Sequence, residues 1–169
     1  EIAGTADAYT INFAKDADAG AGTTVDADTV TIDGIETVIV NSTGLATTTK
    51  NIIDLDADAA KSLVITGDKA IDVSFTAFGT TGATTGVSTI DASAATGDIT
   101  ATVSGVNTAV TTGSGNDTIT ATVGAVGTAI SKAIDLGAGD DTLVLFADTT
   151  AVPTAAVKGG DGVDTISMT

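Results

Sequence analysis

The sequence predicts an all-β fold, a parallel β-solenoid of the β-helix or β-roll type, in which short strands stack along one axis. A glycine-aspartate segment occurs three times in the same order, as GSGNDTIT at 113–120, GAGDDTLV at 137–144 and GDGVDTIS at 160–167. Thr contributes 34 of the 169 residues beside abundant Ala, Val and Ile, a composition that favours strands. With four Phe, one Tyr and no Trp, the chain is not expected to form a compact core packed around aromatic side chains.

The remainder of the chain repeats short apolar-alternating runs that end in Gly, Asp, Asn or Ser, which is typical of strands joined by turns. Residues 1–27 are predicted as an edge or linker segment, because KDADAGAGTTVDAD at 15–28 has low complexity; a degenerate metal turn is the alternative. Residues 28–110 are predicted as Thr/Ala-rich coils, since similar units recur at roughly 20–25-residue spacing. Residues 111–169 are predicted as the coils that carry the glycine-aspartate motif and continue beyond this chain. The strand candidates lie at 28–44, 51–68, 70–75 and 87–105.

The charge of the chain excludes one class of partner and favours another. Twenty of the 22 acidic residues are Asp, all six basic residues are Lys, and the formal net charge is -16. A polyanion such as nucleic acid would be repelled, whereas a divalent cation would be attracted. Asp is the acid of turns, where its short side chain bonds to nearby backbone and coordinates hard cations. We therefore expect cation-binding turns and no nucleic-acid partner.

Residue types that most enzyme sites need are absent from the sequence. It contains no Cys, no His and no Arg, which excludes disulfides, thiol nucleophiles, zinc sites of the usual type and histidine acid/base catalysis. The adjacent carboxyls of Asp140 and Asp141 permit an acid/base alternative, but few aromatic residues accompany them to bind a sugar. The chain is therefore not expected to be an enzyme. It has no run of about 18 apolar residues and no basic-then-apolar leader, so neither membrane insertion nor an N-terminal export signal is expected.

The glycine-aspartate motif has the composition of a turn that binds a hard cation. In the first copy, Gly113 and Gly115 allow a sharp turn whose carbonyls point the same way, and Asp117 adds a carboxylate beside them. A strand follows each copy, and its alternate residues are predicted to face the core. These residues are Ile119, Ala121 and Val123 after the first copy, Leu143 and Leu145 after the second, and Ile166 and Met168 after the third.

Parallel stacking predicts a calcium ion between neighbouring motif turns. Equivalent turns would lie ~4.7–4.9 Å apart, and the equivalent carboxylates would repel one another without a cation between them. Ca²⁺ accepts about 6–8 oxygen ligands, whereas Mg²⁺ requires a tighter octahedron, so Ca²⁺ is the predicted cofactor. The candidate metal-binding residues are Gly113, Gly115, Asn116, Asp117, Gly137, Gly139, Asp140, Asp141, Gly160, Asp161, Gly162 and Asp164.

Several alternatives stay open for these acidic residues. A plain turn without metal is the alternative for each motif. Asn116, Asp140 and Asp161 either add ligands or only solvate their turns, whereas Asp141 is predicted to serve ions on both sides. The aspartates that follow Ile elsewhere are predicted to be outward residues at strand ends or turns rather than ligands. They are Asp33, Asp54, Asp72 and Asp91.

The motif resembles G-G-x-G-x-D-x-U-x, the calcium-binding nonapeptide of RTX proteins, in which U is a large apolar residue. GGDGVDTIS at 159–167 matches every position, while TGSGNDTIT at 112–120 and LGAGDDTLV at 136–144 depart at the first glycine. The resemblance implies a parallel β-roll in which Ca²⁺ is bound by these turns. RTX repeats usually follow one another directly, whereas some 15 residues separate them here, so each coil is expected to be larger and to carry one calcium edge.

The Thr/Ala-rich units, such as IDGIETVIVNSTG and STIDASAATGDITATVSG, resemble the repeat regions of RTX-type bacterial surface-layer proteins and related adhesins. This resemblance implies an extracellular structural protein at a bacterial cell surface, exported by type I secretion and folded there by Ca²⁺. The implied partner is a further copy of itself in a lattice. Attachment to cell-surface polysaccharide through other parts of the parent protein is a further expectation. A stalk segment of a large RTX adhesin and the non-catalytic β-roll module of a secreted enzyme are the alternatives.

Overall fold

The computed structural model describes residues 6–13, 23–44, 48–78, 89–104, 108–122, 130–146 and 153–168. These residues form fourteen β-strands and no helix, so no described segment is a long apolar helix that could cross a membrane. The strands are β1 (Ala8–Asn12), β2 (Thr23–Thr31), β3 (Thr37–Asn41), β4 (Thr48–Ala57), β5 (Ser62–Gly67), β6 (Ala70–Phe78), β7 (Thr89–Ala95), β8 (Ile99–Ser104), β9 (Ala109–Thr111), β10 (Thr118–Thr122), β11 (Ile134–Asp135), β12 (Thr142–Phe146), β13 (Val157–Lys158) and β14 (Thr165–Met168).

The strands alternate between two seven-stranded parallel sheets, which confirms the predicted parallel β-solenoid. Odd-numbered strands form one sheet in the order β1-β3-β5-β7-β9-β11-β13, and even-numbered strands form the other in the order β2-β4-β6-β8-β10-β12-β14. Each odd strand and the even strand that follows it make one coil, numbered 1 to 7 along the chain. Coil 1 therefore contains β1 and β2, which lie largely within the segment 1–27.

Alternate residues of each strand point between the two sheets and form the core. In β3, Val38 and Val40 are fully buried, and in β5 Leu63 and Ile65 occupy the equivalent positions. A strand turns successive side chains to opposite faces, and the outward positions here carry mainly polar residues such as Thr, Ser, Asp and Lys, with a few half-buried Ile and Val. The core is built of Ile, Leu, Val and Ala stacked coil upon coil, as the composition predicts.

The strands after the motifs show the same alternation. Ile119 and Ala121 in β10, and Leu143 and Leu145 in β12, are buried as predicted, and Val123 lies outside the described residues. In β14, Ile166 and Met168 pair with Leu143 and Leu145 but are 59% and 68% exposed. They have the inward register, yet β14 is the edge strand of its sheet in the described chain, so only one side of them is covered.

The described connections inside coils 3 to 7 lie along one edge of the solenoid, here called the turn edge. The three glycine-aspartate motifs connect β9 to β10, β11 to β12 and β13 to β14, so they stack above one another at this edge. The fourth coil has a shorter connection there, the residues 96–98 between β7 and β8. The strand register thus brings into one place residues that lie more than 20 positions apart in the sequence.

We expect the cost of removing an Ile side chain to depend on the position of its coil in the stack. Ile65 is fully buried, so Ile65→Ala should lower the free energy of unfolding by about 2–5 kcal/mol. Ile166→Ala, the control, should cost less than about 1 kcal/mol, because that side chain is already exposed. Urea denaturation with saturating calcium measures both, and equal costs would contradict this packing.

Candidate metal-binding edge

Two columns of side chains run along the turn edge in strand register. The inner column is a set of register-equivalent residues at or near the start of the even strands, and the outer column is the residue just before each of them. From coil 2 to coil 7, the inner column is Asn51, Ile71, Ile99, Asp117, Asp141 and Asp164. The outer column is Lys50, Ala70, Asp98, Asn116, Asp140 and Val163.

Inner-column carboxylates bind the backbone of the coil before them. The Ile99 N–H donates to Asp117 Oδ1 at 2.7 Å, and the Asp117 N–H donates to Asp141 Oδ1 at 2.7 Å. The Asp141 N–H donates in turn to Asp164 Oδ1 at 3.2 Å. Each carboxylate therefore crosses from its own coil to the preceding one and satisfies a backbone donor that would otherwise be left at the end of a strand.

Outer-column side chains bind in the opposite direction, to the coil that follows. The Asn116 N–H donates to Asp98 Oδ1 at 2.8 Å, the Asp140 N–H to Asn116 Oδ1 at 2.9 Å, and the Val163 N–H to Asp140 Oδ1 at 2.9 Å. Each step between two coils thus carries one outer side chain reaching forward and one inner side chain reaching back. The resulting step pairs are Asp98 with Asp117, Asn116 with Asp141, and Asp140 with Asp164.

Glycine is required in these turns because consecutive coils approach too closely for a side chain. A Cβ placed on Gly139 would lie 2.2 Å from the Gly115 carbonyl oxygen, and one on Gly162 would lie 2.0 Å from the Gly139 carbonyl oxygen. Both glycines also have positive φ, +138° and +137°. A Cβ on Gly159, the first glycine of the complete nonapeptide, would lie 2.1 Å from Asp164 Oδ2. The motif glycines therefore clear the space in which the carboxylates and the carbonyl oxygens stack.

Two of the inner carboxylates are buried with only one of their two oxygens hydrogen-bonded. Asp117 and Asp141 are each 1% exposed, and the Oδ2 atom of each has no hydrogen-bond partner. The Thr112 hydroxyl lies near Asp117 but donates to the Leu136 carbonyl at 2.6 Å, which leaves Asp117 Oδ2 without a donor. A buried, unpartnered carboxylate oxygen is costly, so each of these atoms needs a proton or a cation.

The pKa values of these carboxyls reflect their burial. Desolvation raises the pKa of Asp117 to about 6; the bond from the Ile99 N–H opposes the shift, and the charges of Asp141 and Asp98 add to it. Desolvation also raises the pKa of Asp141, against the bond from the Asp117 N–H and with the charge of Asp164. The ionised forms are thus disfavoured where no positive charge stands beside them.

The donor set of the turn edge fits a hard cation. The residues that would hold it are the inner and outer side chains of each step, with backbone carbonyl oxygens from the stacked glycines completing an all-oxygen shell. Within the described ranges no group of three or more Asp, Glu, His or Cys side chains is placed to hold a metal ion. A bound divalent ion would supply positive charge to oxygens that lack donors.

The structure places most of the predicted ligands at this edge. Asp161 differs: its backbone N–H donates to the Gly137 carbonyl at 3.0 Å and its carbonyl accepts from the Gly139 N–H at 2.8 Å, while its side chain is exposed. Asp98 joins the outer column although sequence reasoning missed it. Its signal was Gly97-Asp98 directly before a strand, but its turn has only one glycine and did not match the motif.

Two of the aspartates that follow Ile satisfy their charges on the outer sheet faces. Asp54 accepts bonds from the hydroxyls of Thr29, Ser74 and Thr76 on the two flanking strands. The bond from Thr76 makes the largest contribution to lowering the Asp54 pKa. Asp72 pairs with Lys50. These contacts give Asp54 and Asp72 partners away from the turn edge.

Comparison of the chain with protein-family models, with curated proteins and with solved structures found no match.

In chelator, we expect the burial of Asp117 to make stability fall as pH rises. Its folded pKa of about 6 lies above the ordinary value of 3.8, so the folded state holds the proton more tightly. Stability is therefore lost between these two pKa values as pH increases, by on the order of 3 kcal/mol for this one group. Asp117→Asn should remove this part of the pH dependence.

Far-UV circular dichroism of the wild type and Asp117→Asn in chelator, at several pH values between 4 and 7, measures the fraction of each that is folded. The stability of Asp117→Asn relative to the wild type should increase with pH and level off above pH 6. A constant difference across this range would mean that the Asp117 carboxyl is not desolvated in the folded protein.

Proposed function

We propose that this chain is a structural, calcium-dependent segment of a bacterial cell-surface protein, and that it assembles with further copies into a surface layer. The observation that carries the proposal is the pair of buried, unpartnered carboxylate oxygens of Asp117 and Asp141 in a register column. Such oxygens coordinate a hard divalent cation. Ca²⁺ has a flexible coordination geometry that suits carboxylates and backbone carbonyls together.

The carboxylates couple cation binding to folding. The motif coils have short strands, of two to five residues, and depend on the turn edge for much of their order. With a formal net charge of -16, the chain repels itself when compact, most strongly where acidic side chains stack. Binding free energy at the turn edge then becomes folding free energy. This keeps the chain loosely folded where calcium is scarce and orders it outside the cell, as export by type I secretion requires.

A structural role fits the surfaces of the solenoid. Polar and hydroxyl side chains cover much of the outer sheet faces, and the sequence contains no Cys or His for chemistry.

A stalk segment of a large adhesin is the second candidate. The observation that favours it is the stacking of all described coils along one axis, which suits a rod that extends end to end. Both candidates share the calcium-bound turn edge and differ in whether isolated chains associate.

We expect Ca²⁺ to order the chelated protein cooperatively, and Mg²⁺ at the same concentration to do so much less. Far-UV circular dichroism follows the gain of β-structure, and sedimentation with electron microscopy follows assembly. Sheets that form with calcium support the surface layer, and monomeric rods support the stalk. A β-spectrum that chelator leaves unchanged, with no calcium bound, would overturn the calcium-dependent function.

Single substitutions should localise the effect to the turn edge. Asp141→Ala should lower calcium affinity more than Asp68→Ala, because Asp141 is buried in the inner column while Asp68 is exposed beside Lys69. Calorimetric titration of both variants measures the affinities, and equal effects would remove Asp141 from the binding site.

A further inference from the structure

The turn of coil 4 belongs to the acidic stack although it has no glycine-aspartate motif. The Asp98 carboxylate accepts the Asn116 N–H at 2.8 Å, in the same way as Asp140 accepts the Val163 N–H at 2.9 Å. In return, Asp117 of coil 5 accepts the Ile99 N–H of coil 4 at 2.7 Å. The step from coil 4 to coil 5 thus has the reciprocal arrangement of the two motif steps.

The step pairs differ in charge. The pair between coils 4 and 5, Asp98 with Asp117, contains two carboxylates, as does the pair Asp140 with Asp164 between coils 6 and 7. The pair between coils 5 and 6 contains one carboxylate and the amide of Asn116. Since calcium affinity rises with the number of charged ligands, the first and the last steps are the stronger candidates. The sequence alone instead favours the centre of the stack, because it predicts that Asp141 serves ions on both sides.

Burial singles out the step between coils 4 and 5. Asp117 is 1% exposed and its Oδ2 atom has no partner, while its Oδ1 atom lies against the Asp98–Ile99 peptide. Asp98 is exposed, so a cation can reach this step from solvent. The two coils are also in close contact here, because a Cβ on Gly115 would lie 2.7 Å from the Gly97 carbonyl oxygen. An oxygen-lined step with an unsatisfied buried carboxylate oxygen is therefore present one coil before the first motif.

We propose that Asp98 and Asp117 form a further divalent-cation site between coils 4 and 5, and that the bound ion is Ca²⁺. The proposal rests on the calcium-dependent function proposed above and extends it to a turn that lacks the motif. This site marks the start of the acidic stack. The preceding step pairs Ala70 with Ile99, which offers no side-chain ligand.

Asp98→Asn tests the site with little disturbance of the turn. Asn keeps a side-chain oxygen that can accept the Asn116 N–H, as Asn116 itself does for the Asp140 N–H. Asp68→Asn is the matched control, because Asp68 is an exposed carboxylate in the turn of coil 3 at the same edge. Equilibrium dialysis and calorimetric titration with CaCl₂ give the number of bound ions. Urea denaturation in calcium gives the stability, and far-UV circular dichroism in chelator gives the fraction of chains that is folded.

The expected result is the loss of one bound calcium ion per chain in Asp98→Asn and none in Asp68→Asn. Asp98→Asn should also be more stable than the wild type in chelator, since a like charge beside Asp117 is removed, and less stable in calcium. A residue that only held the turn through its hydrogen bond would change stability in the same direction under both conditions.

Asn116→Asp tests the same reasoning in the other direction. It gives the step between coils 5 and 6 a second carboxylate at an exposed position, so calcium affinity should rise while stability in chelator falls.

Unchanged calcium stoichiometry and affinity in Asp98→Asn would overturn the site between coils 4 and 5 and would leave the motif sites unaffected. A wild-type chain that binds no calcium would overturn both proposals.

Discussion

The in-register stacking of parallel strands governs the whole molecule. Each residue of one coil lies over its equivalent in the next at ~4.7–4.9 Å, so any property of a position is repeated along a column. For apolar residues this repetition is favourable, and it builds the core from columns such as Val40 with Ile65. For carboxylates the same repetition is unfavourable, because like charges are brought close in an environment with little water. At the turn edge the carboxylates are stacked in this way despite their repulsion.

In the described part of the inner column, carboxylates stack only in coils 5 to 7. The column is apolar at Ile71 and Ile99 in coils 3 and 4 and becomes acidic at Asp117, Asp141 and Asp164 in coils 5 to 7. The apolar positions coincide with coils of longer strands, β5 to β8, which have six to nine residues each. The acidic positions coincide with short strands. The coils with less hydrophobic burial are therefore those in which carboxylates, and the cation proposed for them, contribute to order.

Much of this could be predicted from the sequence. The repeat of two glycines and one Asp before an apolar run predicts stacked turns, and the alternation of Ile119 with Ala121 predicts an inward face. The column partners could not be predicted, because they depend on the register between strands separated by loops of unequal length. Asp98 was missed for this reason: its turn is three residues long, and only the pairing of β8 with β10 aligns it with Asn116. Nor does the sequence show that inner and outer side chains bind in opposite directions, since that depends on the backbone path through each turn.

The arrangement of the two columns explains why Asn suits position 116 better than Asp. An Asp at this position would make an outer column of three consecutive carboxylates, from Asp98 to Asp140, facing an inner column that already holds three. Asn keeps the acceptor that binds the Asp140 N–H at 2.9 Å, so the ladder of hydrogen bonds continues through coil 5. It omits the charge that would repel Asp117 and Asp141, which are both buried. The substitution of an amide for a carboxylate at the middle step thus separates two strongly acidic steps by a weakly acidic one, and this lowers the repulsion that cations must offset when the coils close.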